Sequence, residues 1–399
     1  MIVKISPSLA SGSVTAPPSK SMAHRALLCG ALSSESRIHN ISYSKDVEAT
    51  IGCLKAMGAH AEIHGSTVSV GGLDPFSIPS TTLFCNESGS TLRFLIPLCM
   101  LSEQPVTLTG SSRLFQRPLS VYRQIAQHQN IRWEQSENSL TVCGKLKSVD
   151  YNVPGDVSSQ FITGLLYALP LLDADSTLTV TGAFESASYI DLTMATLSDF
   201  GIHMKRNGAV FSIPGRQRPA ARVYSVEGDC SNAAFLEGFN LLGGNVRVDG
   251  LSADTLQGDR VYRIMYDQFD CDNRYFNLSD CPDLGPVMFA IAAAKGGATF
   301  TGVNRLRLKE SDRIAAMASE LAKFGISVTS DDNTAVVHPG ALHPPVQPLC
   351  GHNDHRVVMA LALLCSLTGG IIEGAEAVSK SFPGFFDTIR SLKIGVETL

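Results

Sequence analysis

Residues 299–340 read TFTGVNRLRLKESDRIAAMASELAKFGISVTSDDNTAVVHPG. A β-rich run ends on Gly302, a charged stretch follows, and Ile314, Met317 and Leu321 then recur at helical spacing as far as Gly325, the expected helix cap. Beyond that cap, two short alternating runs flank a polar turn, which is the pattern of a hairpin. The same order recurs along the chain. TLTG at 107–110, TVTG at 179–182, VDG at 248–250 and IEG at 372–374 are anchors of the same kind, with IHN at 38–40 a weaker sixth. Gly58, Asn130, Gly201 and Gly395 are the matching caps, and AEIHGSTVSVGG, IRWEQSENSLTVCG and IHMKRNGAVFSIPG are the matching hairpins.

The anchors end at 40, 110, 182, 250, 302 and 374, a spacing near 70 except for one step of 52, so the fourth unit has lost material. The sixth unit stops at Leu399 without room for its hairpin strands. Strands left unpaired are a liability, and the strand-like MIVKI at residues 1–5 is the natural candidate to complete it. The chain then closes on itself. Residues 1–13 with 229–399 are expected to form one lobe and residues 14–228 the other, three units each, joined by two crossings that act as a hinge. A helix in every unit argues against a propeller, and six units with hairpins do not make an eightfold αβ barrel.

Composition bounds the function. The 399 residues are 44% hydrophobic but only 17% charged, enough apolar material for more than one core. A net charge of −5 argues against a dedicated nucleic-acid binder or a polybasic membrane-surface protein, so any basic site must be local. The start MIVKISPSLASG lacks the pattern of a secretory signal, and neither Phe161–Leu172 nor Val357–Ile372 reaches the ~20 residues of a membrane span. Ten scattered cysteines, with no CxxC, read as reduced thiols in a cytoplasmic protein.

Several polar clusters open apolar helices. PPSKSMAHR at 17–25 places Lys20 in a first turn, where the helix dipole disfavours a cation and a phosphate or carboxylate partner is called for. CNESGSTLR at 85–93 puts Ser88, Gly89 and Ser90 where a ligand could approach the backbone closely. Arg117 precedes Pro118; Ser158, Ser159 and Gln160 open the helix FITGLLYALPLL; SASYID occupies 186–191. RLRLKESDR at 305–313, HNDHR at 352–356 and Lys380 in SKSFPGFFD follow the same plan, just past an anchor or just before an apolar helix. Equivalent entrances pointing one way would converge on one cleft. His352, Asp354 and His355 do not make a good metal site, because neighbours two apart diverge on a helix.

Taken together, PPSKSMAHRALL, ESGSTLRF, RPL at 117–119, SSQ at 158–160, SYID, LKESDR, NDHR and KSFPGF resemble the 5-enolpyruvylshikimate-3-phosphate synthase family of enolpyruvyl transferases, in order and over nearly the whole chain. That resemblance implies an α/β protein of two lobes, each of three βαβαββ units in an inside-out αβ barrel, which closes over shikimate 3-phosphate and phosphoenolpyruvate without metal or organic cofactor. It implies that Lys20, Ser21, Arg25, Ser158, Ser159, Gln160, Ser186, Tyr189, Asp283 and Lys309 hold shikimate 3-phosphate. Lys20, Gly89, Arg117, Gln160, Arg313, Arg356 and Lys380 would hold phosphoenolpyruvate, with Lys309 in reach of it as well. Asp283, Glu310 and Lys20 are the candidate acids and bases. Arg93 would support the glycine motif. Glu87 stands where many family members carry Asn and brings a carboxylate beside an anion site. Small-molecule substrates, a monomer, and no nucleic-acid or membrane partner are expected.

Two other readings compete. The sister transferase acting on UDP-N-acetylglucosamine would need a reactive loop cysteine near Arg117, and no cysteine lies between 99 and 143. A non-catalytic binding protein for phosphorylated metabolites would not need the candidate acids and bases that are present.

Overall fold

The quoted stretch folds as the spacing predicts. Ala298–Thr301 is its anchor strand, Arg313–Lys323 its helix, and Val328–Ser330 with Thr334–Val337 its antiparallel hairpin. The anchor strand pairs antiparallel with the second hairpin strand and parallel with Tyr275–Asn277, which the helix Gly285–Ala294 connects to it. The full unit is thus βαβαββ. The same strand order holds for the sheets spanning Thr81–Cys143 and Asp150–Ile213. The molecule is seen as a computed structural model that describes every residue of 1–399 except residue 272. Among the described residues there are five four-stranded sheets and one two-stranded sheet.

Five anchors end in a left-handed residue: Asn40, Gly182, Gly250, Gly302 and Gly374, with φ of 58°, 72°, 85°, 67° and 71°. Gly110 is different. Its backbone is ordinary, but a Cβ there would stand 2.5 Å from the Asn86 carbonyl oxygen, so close approach selects glycine. The cap expected at Gly395 is a correction, because Gly395 opens the strand Gly395–Thr398 and Lys393, at φ 68°, makes the turn.

The sixth unit is completed from the other end of the chain. β1 (Ile2–Ser6) lies between Gly370–Glu373 and Gly395–Thr398, antiparallel to both. There was room for one hairpin strand at the C-terminus after all, and β1 is the other. Among the described residues the fourth unit has no hairpin: Asn245–Asp249 pairs with β2 (Ser11–Thr15), and the short helix Tyr262–Gln268 precedes the next strand. Contacts divide the chain into residues 1–17 with 228–399, and 18–227. A break after residue 13 would cut through β2, whose pairing runs to Thr15. The mirror strand Val223–Ser225 pairs with Ser36–His39 in the second unit. Each unit therefore holds the strand that leads into the other's first helix.

Each unit has its own apolar core. Residues 285–293 and 355–366 are buried without a break, as are residues 22–32 of α1 (Lys20–Leu32). Helices apolar on every side belong in an interior. Strands alternate instead: β1 buries Val3 and Ile5 and exposes Ile2, Lys4 and Ser6. Sheets outside and helices inside is the inverse of the common αβ barrel. No helix among the described residues is long and apolar enough to cross a membrane.

Because Ile5 is 1% exposed, Ile5→Ala is expected to destabilise the protein by about 2–5 kcal/mol in chemical denaturation. A loss of less than about 0.5 kcal/mol, the scale of a surface change, would contradict β1 as a core strand.

Candidate functional site

Interior helices leave only their ends for polar chemistry, and the predicted residues lie there. In the unit of residues 18–227, Lys20 is the first residue of α1, and its Nζ sits 2.7 Å from Asp46 Oδ2 in the first turn of α2 (Lys45–Ala56). Asp46 is the carboxylate partner that a lysine at a helix N-terminus calls for. Arg25 is 3% exposed and pairs with no carboxylate among the described residues. Its Nε donates to Thr193 Oγ1 at 2.9 Å, Nη1 to the Ser21 carbonyl at 2.8 Å and Nη2 to the Tyr189 carbonyl at 2.9 Å. Burial lowers its pKa. Ser186 adopts φ 54° and opens the helix Ala187–Asp199 that carries Tyr189.

Around α3 (Gly89–Cys99), Arg93 donates from Nη1 to Gln160 Oε1 at 2.7 Å and from Nη2 to the Pro118 carbonyl at 3.0 Å, while Gln160 Nε2 donates to Ser90 Oγ at 3.1 Å. This knits α3 to the N-terminus of the helix Ser159–Ala168, which Ser158 caps. Arg117, held extended before Pro118, lies across Gly89: a Cβ on Gly89 would stand 2.4 Å from Arg117 Nη1. Burial and then the Arg117 charge lower the pKa of Arg93. Two neighbouring guanidiniums beside helix N-termini make an anion site. Glu87 is half-buried in the turn before it.

In the unit of residues 1–17 and 228–399, Asp283 is the hub. Its Oδ1 lies 2.9 Å from Arg313 Nη1 and 3.2 Å from Lys309 Nζ, and its Oδ2 lies 3.1 Å from Arg356 Nη2. Arg313, 2% exposed, also grips the fully buried Asp354, from Nε at 2.9 Å and Nη2 at 3.4 Å. Asp354 caps the helix His355–Thr368 through Arg356 N–H and accepts from Ser311 Oγ. His355 Nδ1 is 2.8 Å from Glu310 Oε2, and Lys380 donates to the Asn353 carbonyl. Burial alone would raise Asp283, but Arg356, Lys309 and Arg313 outweigh it and hold the carboxyl well below the ordinary carboxylate value. The structure gives Lys309, Arg313 and Arg356 carboxylate partners within their own unit.

Glu310, Asp354 and His355 bring ligand atoms within 4.8 Å of one another. The set does not suit a metal, since both Asp354 oxygens already accept hydrogen bonds and the Arg313 charge sits against them. His352, also weighed as a ligand, pairs at 2.8 Å with Glu320.

Sequence reasoning missed Asp46, Gln257 and Asp259, although the repeat held the signal for the first two. Arg117, Lys309 and Lys380 fall six or seven residues past their anchors, and so do Asp46 and Gln257. Asp259, 2% exposed, accepts from Ser231 Oγ, and burial followed by the Asp283 charge pushes its pKa up to about 6.

The chain is similar to known proteins over nearly its whole length. The profile of the family described as EPSP synthase (3-phosphoshikimate 1-carboxyvinyltransferase) matches residues 6–389. The 3-phosphoshikimate 1-carboxyvinyltransferase of Clostridium kluyveri is 40% identical over 413 aligned residues, 98% of this chain and 97% of the relative. That of Clostridioides difficile is 36% identical over 423, again 98% and 97%. The solved EPSP synthase of Acinetobacter baumannii superposes with a TM-score of 0.79 over 100% of both chains at 22% identity, a likeness of fold.

The two aspartates predict opposite pH responses. A carboxyl raised to about 6 on folding costs stability once both states are ionised, so protonating Asp259 is expected to stabilise, by about 1.3 kcal/mol between pH 7 and 5 and by up to about 3 kcal/mol in all below the unfolded pKa of about 4. Asp283, depressed, contributes stability above its unfolded pKa of about 4 and loses it as pH falls further. Denaturation across pH should show the rise and then the fall, and Asp259→Asn should abolish the rise. A curve flat from pH 7 to 5 would refute the Asp259 assignment.

Proposed function

The chain belongs to the EPSP synthase family, and from that premise we propose that its two clusters bind and transform shikimate 3-phosphate and phosphoenolpyruvate. The enzyme is a transferase of aromatic amino acid biosynthesis: it moves the enolpyruvyl group of phosphoenolpyruvate to the 5-hydroxyl of shikimate 3-phosphate and releases phosphate. Shikimate 3-phosphate is assigned Lys20, Ser21, Arg25, Ser158, Ser159, Gln160, Ser186, Tyr189, Asp283 and Lys309. Phosphoenolpyruvate takes Lys20, Gly89, Arg117 and Gln160 together with Arg313, Arg356 and Lys380. Guanidiniums suit its phosphate and carboxylate because they donate in pairs. A monomer in the cytoplasm is part of this reading.

In the addition step the hydroxyl loses a proton, its oxygen bonds to C2 of phosphoenolpyruvate, and the methylene gains a proton. In the elimination step the new methyl gives up a proton as phosphate leaves. A base and an acid must reach neighbouring atoms. The observation that carries the assignment is Asp283, ionised under three cations in the unit that holds the Glu310–His355 pair. While those cations hold it, Asp283 is a weak base. A substrate anion that draws Arg313 and Arg356 away raises its proton affinity when the hydroxyl is present. Glu310, hydrogen-bonded to His355, serves the methyl proton, and Lys20 is a further acid or base.

Phosphate release should require both shikimate 3-phosphate and phosphoenolpyruvate, and UDP-N-acetylglucosamine should not replace the former. Release without shikimate 3-phosphate would overturn the reading. Glu310→Gln is expected to abolish exchange of the methylene hydrogens with solvent, and unchanged exchange would remove Glu310 from that role. Gly89→Ala, whose methyl must displace the Arg117 guanidinium, should raise KM for phosphoenolpyruvate by roughly tenfold or more, the cost of a charged hydrogen bond, and an unaltered KM would remove Arg117 from that substrate.

A further inference from the structure

Within residues 18–227 a line of buried polar groups joins three helices. His24, one turn into α1, is 1% exposed with Nδ1 2.8 Å from Thr50 Oγ1 of α2. Thr50 Oγ1 lies 2.6 Å from Thr91 Oγ1 of α3, and Thr91 Oγ1 donates to Ser88 Oγ at 2.7 Å. Ser88 Oγ also accepts from Thr91 N–H at 3.1 Å, capping α3. Thr50, Ser88 and Thr91 are as deeply buried as His24. The line starts one helical turn from Lys20 and ends at the residue before Gly89.

Its direction follows from counting hydrogens. The Thr91 hydroxyl donates to Ser88, with the Asp46 carbonyl a longer second acceptor at 3.5 Å; its one proton is spent either way, so it must receive the proton of Thr50, and Thr50 must receive Nδ1–H of His24. The ring then carries its proton on Nδ1 and leaves Nε2 a bare acceptor, and Nε2 meets no hydrogen-bond partner among the described residues. The opposite direction would strand a buried N–H, the rarer and costlier orphan. Burial, with the charges of Lys20 and Arg25, lowers the pKa of His24 well below its ordinary value, so the ring stays neutral.

We propose that His24, Thr50 and Thr91 are positioning residues for phosphoenolpyruvate: a neutral, one-way hydrogen-bond chain that fixes the Ser88–Gly89 turn relative to Lys20. The proposal rests on the reading that Gly89 and Lys20 hold that substrate. The chain needs the threonine hydroxyls, whereas a merely structural role needs only their volume.

Thr91→Val keeps the volume and removes the hydroxyl; Thr91→Ser keeps the hydroxyl. Thr91→Val is expected to raise KM for phosphoenolpyruvate roughly five- to tenfold, the factor carried by one neutral hydrogen bond, with kcat and KM for shikimate 3-phosphate within about twofold. Thr91→Ser should return KM to near the wild-type value. An unchanged KM, an equal rise in both KM values, or no rescue by serine would overturn the proposal. Should Thr91→Val not fold, Thr50→Val with Thr50→Ser decides by the same criteria. Ring 15N shifts of His24 in the unmodified protein give a readout independent of catalysis: the neutral Nδ1–H tautomer is expected, and the Nε2–H tautomer would overturn the chain. A wild-type enzyme that releases no phosphate would instead overturn the functional reading and leave the tautomer result standing.

Discussion

A helix that is apolar around its whole circumference can be polar only at its ends. Residues 22–32, 285–293 and 355–366 impose that limit, because no side of those helices can carry a charge without burying it. The sheets take the solvent, and the first turns take the chemistry. Unpaired N–H groups gather there with the positive end of the helix dipole, so the architecture favours anionic ligands before any side chain is chosen. Lys20, Gly89, Ser159, Arg313 and Arg356 all stand in first turns.

Cations at those places work against the dipole and against burial, and the structure answers with carboxylates. Asp46 partners Lys20, Asp354 partners Arg313, and Asp283 is shared by three cations. Burial opposes charge on Arg313, yet Asp354 and Asp283 raise its pKa above the ordinary arginine value. Removing one partner of such a group would leave an unbalanced buried charge, which is more costly than the net worth of the pair. The cations and carboxylates of the network therefore depend on one another for charge balance.

Much of this was legible in the residues. Hairpins, anchors and the completion of the sixth unit by β1 follow from alternation and spacing, because period and glycine placement report backbone geometry directly. The caps were readable where glycine or asparagine is left-handed, as at Gly58, Asn130, Gly201 and Gly325, and failed at Gly395 because Lys393 takes the strained position. Side-chain pairing was less legible. Asp354 attracted notice as a metal ligand, but its work is to cap a helix and hold Arg313, a relation between residues far apart in sequence. Asp46 and Gln257 carry no motif, and only the anchor spacing would have found them. The path His24–Thr50–Thr91–Ser88 crosses three helices and leaves no trace in local pattern.

The interlaced strands bear on how the polypeptide is made. Residues 18–227 can condense as a contiguous stretch while synthesis continues. Ile2–Ser6 cannot, because its neighbours are Gly370–Glu373 and Gly395–Thr398. At ordinary elongation rates of ~5–20 residues per second, that segment leaves the ribosome tens of seconds before either partner exists. Val3 and Ile5 must stay out of trouble through that interval, and the alternation that places Ile2, Lys4 and Ser6 on the opposite face gives the nascent edge a lysine to discourage premature association.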